Sequence, residues 1–182
     1  METVTTQFLQ RTDVSVDLNQ VLEDLNSILS IYPWPTGNQI GLKHRPTATD
    51  VWLDAHGSLN KSGAKESEFT EWNPNCPVYL KTVIEQLEAR YNFKSNRVRL
   101  MKLPPKKGLT VHYDTERRYH LVLKTSPFAY MFEVNTETNT PLGTHMPADG
   151  YFYLVDTRKV HFVYNGSAED RIHLVINESP IM

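Results

Sequence analysis

The sequence predicts a mainly β fold in which N-terminal helices flank an antiparallel β-sandwich of jelly-roll type. Apolar residues recur at helical spacing in two segments, both in the first half of the chain. From Asn96 onward they recur instead in short β-type runs with no helix between them. Turn-forming residues separate those runs at short intervals, the pattern of a sandwich or barrel.

Taken in order, Leu18, Val21, Leu22, Leu25, Ile28 and Leu29 give one apolar face to a helix from about Asp13 to Ser30. Tyr32-Pro33-Trp34-Pro35-Thr36-Gly37 stops it, because prolines remove backbone donors and clash with a continuing helix. Short extended pieces are expected around Gln39–Lys43 and Asp50–Leu53, and an exposed loop over Gly57–Ser67. Pro77 suits the first turn of a second helix reaching Tyr91, with Leu80, Val83, Ile84, Leu87 and Tyr91 as its buried stripe. Both helices read as packing outside a sheet. The strands expected are Arg97–Leu103, Leu109–Asp114, Arg118–Thr125, Tyr130–Val134, Tyr151–Asp156, Val160–Val163 and Arg171–Asn177. Pro104-Pro105, Asn139-Thr140-Pro141, Asp149-Gly150 and Asn165-Gly166 supply the turns between them.

The bulk properties narrow the function. With 182 residues, 40% of them hydrophobic and 22% charged, the chain fits one ordinary globular domain. Its formal net charge of -2 comes without a concentrated basic face, so no nucleic-acid partner is expected. The single cysteine, Cys76, excludes an intramolecular disulfide and fits a reducing compartment. The first residues lack the basic start and apolar core of a leader, and no stretch is long enough to cross a bilayer. A cytoplasmic protein with no membrane partner is the expectation. The oligomeric state is not legible.

In Leu109-Thr-Val-His-Tyr-Asp-Thr, His112 and Asp114 stand two apart, and an extended segment sends alternate side chains to one face. His161 lies between apolar neighbours on a late strand. Two imidazoles and one carboxylate form the facial triad of non-haem Fe(II) oxygenases, although core residues or a zinc site would use the same trio. The last strand adds a second signal. Ile172, Leu174 and Ile176 take one face, while Arg171 and His173 take the other. A guanidinium facing a sheet interior needs an anion, and it can grip a ligand carboxylate with two parallel hydrogen bonds. Arg118 and His120 repeat the pattern on their own strand. Fe(II), Asp114, a dicarboxylate and one or two inward arginines sum to near neutrality.

On these residues the chain resembles the aspartyl/asparaginyl β-hydroxylase family of Fe(II)/2-oxoglutarate oxygenases. The matching pieces are Arg97-Val-Arg-Leu-Met-Lys-Leu leading to His112-Tyr-Asp114, then Arg118-Tyr-His-Leu-Val-Leu, then His161-Phe-Val-Tyr-Asn-Gly-Ser-Ala-Glu-Asp-Arg171. The resemblance is strong over residues 96–178 and looser before them. It implies a double-stranded β-helix (jelly-roll, cupin-like), iron at His112, Asp114 and His161, and O2 as co-reactant. It further implies the remote carboxylate of 2-oxoglutarate on Arg171, with Arg118 and His120 assisting. The whole chain, 1–182, is then one oxygenase domain, with helices and lid elements in 1–95 and the jelly-roll core in 96–178. The animal aspartyl β-hydroxylase lacks the acidic ligand. Asp114 makes this chain more similar to full-triad members, including free-proline hydroxylases.

The implied reaction is hydroxylation of an unactivated C–H bond in an amino-acid residue (Asp, Asn or Pro type) of a protein or peptide. The alternatives are a hydroxylase of a free amino acid such as proline, a cupin-type metal enzyme that does not use 2-oxoglutarate, and a silent binding module. Gln39, His44, Arg45 and Trp52 lie where a lid over the barrel mouth is expected, though they also read as ordinary loop and edge residues. Trp34 and Trp72 carry the same ambiguity, and His56 and His145 read as surface residues.

Overall fold

A strand takes up the first residues of the segment that the sequence pointed to as a helix. The computed structural model describes residues 7–59 and 63–180, and in it β1 (Leu9–Ser15) takes up Asp13, Val14 and Ser15. The helix α1 (Leu18–Ile31) starts only after Asp17, whose carboxylate accepts hydrogen bonds from the backbone N–H groups of Asn19 and Gln20 at 3.0 and 3.3 Å. β2 (Gln39–Gly41), β3 (Lys43–His44) and β4 (Glu71–Trp72) are short. α2 (Val78–Tyr91) closes on Asn92, which takes the left-handed conformation at φ +50°. Then come β5 (Phe93–Leu103), β6 (Lys107–Gly108), β7 (Arg118–Lys124), β8 (Ala129–Asn135), β9 (Thr140–Thr144), β10 (Tyr151–Val155), β11 (His161–Asn165) and β12 (Arg171–Pro180). Among the described residues no helix is long and apolar enough to cross a membrane.

The strands form a six-stranded sheet, β1-β10-β7-β12-β5-β2, and a four-stranded sheet, β6-β11-β8-β9, with β3 and β4 paired separately. Every pairing is antiparallel. The two larger sheets face each other across Leu103, Val122, Met131, Tyr153, Val155 and Val163, which is the jelly-roll core. Both helices cover the other face of the large sheet. There Val21, Leu25, Ile28, Leu80, Ile84 and Leu87 meet Val98, Leu100, Leu121, Phe152, Leu174 and Ile176. β5, β7 and β12 therefore bury both faces. Their outward residues pack under helices, and their inward residues line the space between the sheets.

Several local expectations need correction. Asp50–Leu53 is a turn, because the Asp50 carboxylate accepts from the N–H groups of Trp52 and Leu53 and competes with any ladder. Leu109–Asp114 forms no strand; its one ladder position is an isolated bridge between His112 and His161. Asn139-Thr140-Pro141, read as a turn, leads into the edge strand β9, and an edge position is one where proline is tolerated. Part of the expected Gly57–Ser67 loop lies outside the described residues, and its remainder includes a 3-10 turn at Glu66–Glu68.

Leu174 is fully buried between the large sheet and the helices. Leu174→Ala is expected to cost about 2–5 kcal/mol, read as a lower urea midpoint at unchanged slope. Burial, followed by the charge of Asp24, pushes the Cys76 thiol up from 9.0 to about 12. Above pH 9 the unfolded chain loses this proton while the folded chain keeps it, so stability falls from pH 9 towards 12. Cys76→Ala should remove that part of the slope in paired denaturation curves across this range.

Candidate metal centre

The backbone of β11 sets the position of the site. His112 and His161 exchange two backbone hydrogen bonds, at 3.0 and 2.8 Å, although the Leu109–Asp114 segment forms no other ladder rung. The Leu109 N–H binds the Val163 carbonyl at 2.9 Å, and the Asp114 N–H binds the Thr157 carbonyl at 2.8 Å. Gly108 allows this approach: a Cβ there would lie 2.9 Å from the Val163 carbonyl oxygen. The loop is thus pinned on both sides of His112. Val111 and Tyr113 stay exposed while His112 and Asp114 turn inward, so the alternation read from the sequence holds without a strand.

Each ligand is also oriented from behind. The Nδ1 atoms of His112 and His161 lie 2.6 and 2.9 Å from the carbonyls of Thr110 and Lys159. A carbonyl only accepts, so each Nδ1 carries the proton and each Nε2 keeps its lone pair for the site. Arg118 donates to Oδ1 of Asp114 at 2.6 Å. Oδ2 is buried, has no hydrogen-bond partner, and lies 3.6 Å from Nε2 of His161. The three donor atoms all fall within 4.8 Å of one another. An orphaned carboxylate oxygen beside two imidazole lone pairs fits a divalent cation in the facial geometry, and without one it is left unsatisfied. Burial pulls the His161 imidazole below its ordinary value, which keeps it neutral and able to ligate.

Behind the triad the large sheet presents a buried polar strip. Asn177 on β12 lies opposite Arg118 on β7, where the β12–β5 register shifts, and the next row across β5, β12 and β7 holds Arg99, Val175 and His120. Deeper come Met101, His173 and Val122, then Leu103 and Arg171. Arg171 is 8% exposed, and its one polar contact among the described residues is Nδ1 of His173 at 3.3 Å. Burial brings its guanidinium down to about 9. Burial, and then the charge of Arg171, hold His120 and His173 well below the ordinary imidazole value, so both are neutral. Their Nε2 atoms have no partner. A pocket of about 190 Å³, lined by Gln39, Met101, Leu103, Leu109 and Arg171 among others, opens at this end.

Of the residues singled out in the sequence, the fold gathers His112, Asp114, His161, Arg118, His120 and Arg171 into one region. Arg118, expected beside the cosubstrate carboxylate, is bound to Asp114, and its Nε has no partner. The lid candidates divide. Gln39 lines the pocket, whereas Arg45 is held by Asp54, His44 is buried on β3, and Trp52 stacks on Tyr32 at 5.3 Å within the core. Trp34 lies under Lys102, and Trp72 faces both Lys43 and Lys81. His56 and His145, read as surface residues, are half-buried. Sequence reasoning passed over Arg99 and Asn177. The alternation that exposed Arg171 was also present in Arg97-Val-Arg-Leu, where two arginines share the face opposite Val98 and Leu100.

A family model described as aspartyl/asparaginyl beta-hydroxylase matches residues 17–179. None of the curated proteins is similar enough in sequence to match. Among solved structures, HygX from Streptomyces hygroscopicus, which holds nickel and 2-oxoglutarate, is similar at a TM-score of 0.59 and 8% identity, over 97% of this chain and 84% of that one. The viral collagen prolyl hydroxylase vCPH from Paramecium Bursaria Chlorella virus-1 is similar at 0.56 and 10% identity, over 97% and 98%. An oxidoreductase of the 2OG-Fe(II) oxygenase family from Burkholderia pseudomallei aligns over 57% of each chain, at 0.47 and 16% identity. At these identities the likeness is one of fold.

Removing Arg118 frees Asp114 to rotate. Arg118→Ala is expected to weaken divalent metal binding by about 10–100-fold, and His161→Ala or Asp114→Ala by more. Calorimetric titration with Mn(II) or Co(II) measures the order, and equal affinities across the variants would contradict it.

Proposed function

The chain belongs to the aspartyl/asparaginyl β-hydroxylase family, and on that footing we propose that it hydroxylates an unactivated C–H bond of an amino-acid unit, using Fe(II), 2-oxoglutarate and O2. The observation that carries this reading is the orphaned Oδ2 of Asp114 beside two imidazole lone pairs, with Arg171 buried on the inward face of the large sheet and without a carboxylate partner among the described residues. Iron would be held by His112, Asp114 and His161. When bound, Fe(II) and 2-oxoglutarate together supply the oxidising power for C–H hydroxylation, with 2-oxoglutarate ending as succinate and CO2.

The chain's own residues position and shield. Arg171 grips the far carboxylate of 2-oxoglutarate in a place where water competes poorly. His120 and His173, neutral and with unpartnered Nε2 atoms, offer directional hydrogen bonds along the same ligand without adding charge. Arg118 keeps Asp114 aligned through Oδ1, which would leave Oδ2 to hold the metal. Val122, Met131, Val155 and Val163 wall the chamber and exclude water from a reactive centre. The N-terminal segment covers the Arg97 end of the strip: Arg97 donates to the carbonyls of Ala55 and Gly57 and pairs with Glu66. The unit hydroxylated is an Asp-, Asn- or Pro-type residue of a peptide, or the corresponding free amino acid.

Anaerobic addition of Fe(II) and then 2-oxoglutarate should produce a weak visible charge-transfer band. No band with the wild-type chain would defeat the proposal. Arg171→Ala should weaken 2-oxoglutarate binding at least about tenfold, as loss of one partner of a buried charge pair does. With O2 admitted, succinate should form, and peptides or free amino acids should be screened for the mass of one added oxygen atom.

A further inference from the structure

Arg171, His173 and His120 form a chain of contacts across the inward faces of β12 and β7. Nη2 of Arg171 lies 3.3 Å from Nδ1 of His173, and that same Nδ1 lies 3.4 Å from Nδ1 of His120. All three residues are buried, and the two rings meet edge to face at 79°. The Nε2 atom of each ring is buried without a hydrogen-bond partner. Burial, and then the charge of Arg171, keep both imidazoles neutral. Each ring therefore carries one proton, and the contacts decide on which nitrogen.

A guanidinium only donates, so Nδ1 of His173 presents its lone pair to Arg171 and the proton of that ring sits on Nε2. A contact between two Nδ1 atoms is favourable only with one proton between them. His173 does not supply it, so His120 carries its proton on Nδ1 and turns a bare Nε2 lone pair into the space between the sheets. In the empty chain His120 is an acceptor. Ionised carboxylates are acceptors too, so 2-oxoglutarate has nothing to donate to it. Two lone pairs facing each other away from water are unfavourable. Unliganded, His120 is set against the molecule whose site it borders.

The contact that sets this state is the one that a bound carboxylate breaks. A carboxylate is a stronger partner for Arg171 than an imidazole lone pair, and it takes two guanidinium donors at once. Nδ1 of His173 is then free to hold a proton and donate it to Nδ1 of His120. His120 in turn holds its proton on Nε2 and donates to the ligand. Each ring has one proton before and after; the two protons change nitrogen by exchange with water, and no net charge appears. The reach is sufficient. Through His173, Nη2 of Arg171 and Nδ1 of His120 are at most roughly 7 Å apart, and the end carbons of a five-carbon diacid are about 5 Å apart. His120 also stands one row from Arg118, which holds Asp114, so the chain of contacts runs from the remote carboxylate towards the metal ligands.

Resting on the oxygenase reading, we propose that His173 is a positioning residue that fixes which nitrogen of His120 is protonated, and that a carboxylate on Arg171 switches His120 from acceptor to donor. The site thereby favours a diacid over a 2-oxo acid with a single carboxylate, because only a ligand that reaches Arg171 turns His120 into a donor.

Two measurements on the full chain decide this. Histidine-selective 15N spectra of the Zn(II)-loaded wild type report the protonated nitrogen of each ring. The rings are assigned by through-space contacts, His120 to Val175 and His173 to Val122, its cross-strand neighbours. Before ligand, His120 should show Nδ1–H and His173 Nε2–H; saturating 2-oxoglutarate should reverse both, and pyruvate should reverse neither. A free chain that already shows Nε2–H on His120 overturns the proposal. So does a saturated chain that keeps Nδ1–H, or a reversal by pyruvate.

The second measurement is 2-oxoglutarate affinity, read from the charge-transfer band of anaerobic Fe(II) samples across a double-mutant cycle. His120→Phe and His173→Phe should each weaken binding about tenfold, and the double variant no more than either alone. Losses that multiply would mark two independent contacts and overturn the proposal. His120→Asn supplies a fixed N–H donor, so in that background His173→Phe should cost less than about twofold. Unchanged Mn(II) affinity in each variant separates this coupling from loss of the fold, and the wild-type spectra stand even where a variant fails to fold. A missing band in the wild type defeats the oxygenase reading, whereas the tautomers of the free chain are read without it.

Discussion

Two backbone hydrogen bonds exchanged between His112 and His161 hold the site together. They join a loop that has no ladder of its own to the first residue of β11, and so place one ligand of each segment side by side, with ring centroids 4.4 Å apart. The supporting contacts converge on this junction. Gly108 lets β6 lie close against β11, the Thr157 carbonyl fixes Asp114, and the carbonyls of Thr110 and Lys159 set both imidazole tautomers. Backbone groups are obligatory hydrogen-bonding partners, so geometry set by them is harder to distort than geometry set by side chains alone.

The second constraint is electrostatic. A jelly roll ordinarily fills the space between its sheets with apolar side chains, and one half of this chain does so through Val122, Met131, Val155 and Val163. The other half carries Arg99, Arg118, His120, Arg171, His173 and Asn177, several with buried polar atoms that lack partners. Such a strip destabilises the empty fold, and the apolar packing of two helices on the far side of the same sheet offsets the cost. Stability and ligand capacity are thus divided between the two faces of β5, β7 and β12. Each of these strands alternates so that one face answers to the helices and the other to the ligands.

That division explains what could be read from the chain. Ile172, Leu174 and Ile176 against Arg171 and His173, and Tyr119 and Leu121 against Arg118 and His120, are period-two patterns. They revealed the strands and the inward cations together, because one alternation encodes both. The helical stripes and Pro77 located α2 to within a residue. Legibility failed where a local competitor or a tertiary partner decided the outcome. Asp50 made a turn of a segment that looked extended, and edge placement let Pro141 sit in a strand. β1 exists because β10 offers it a partner, and nothing within residues 9–15 specifies that.

By itself the sequence determined the mainly β architecture, the alternation that turns His112 and Asp114 inward, and the candidate ligands, since these depend on residue type and spacing along one segment. Tertiary structure alone decided that Arg118 serves Asp114, that Trp52 and Arg45 belong to packing and pairing, and that Arg99 has no carboxylate partner among the described residues. The reason is physical: whether a buried charge is satisfied depends on which distant segments the fold brings within hydrogen-bonding distance, and spacing along the chain does not contain that distance.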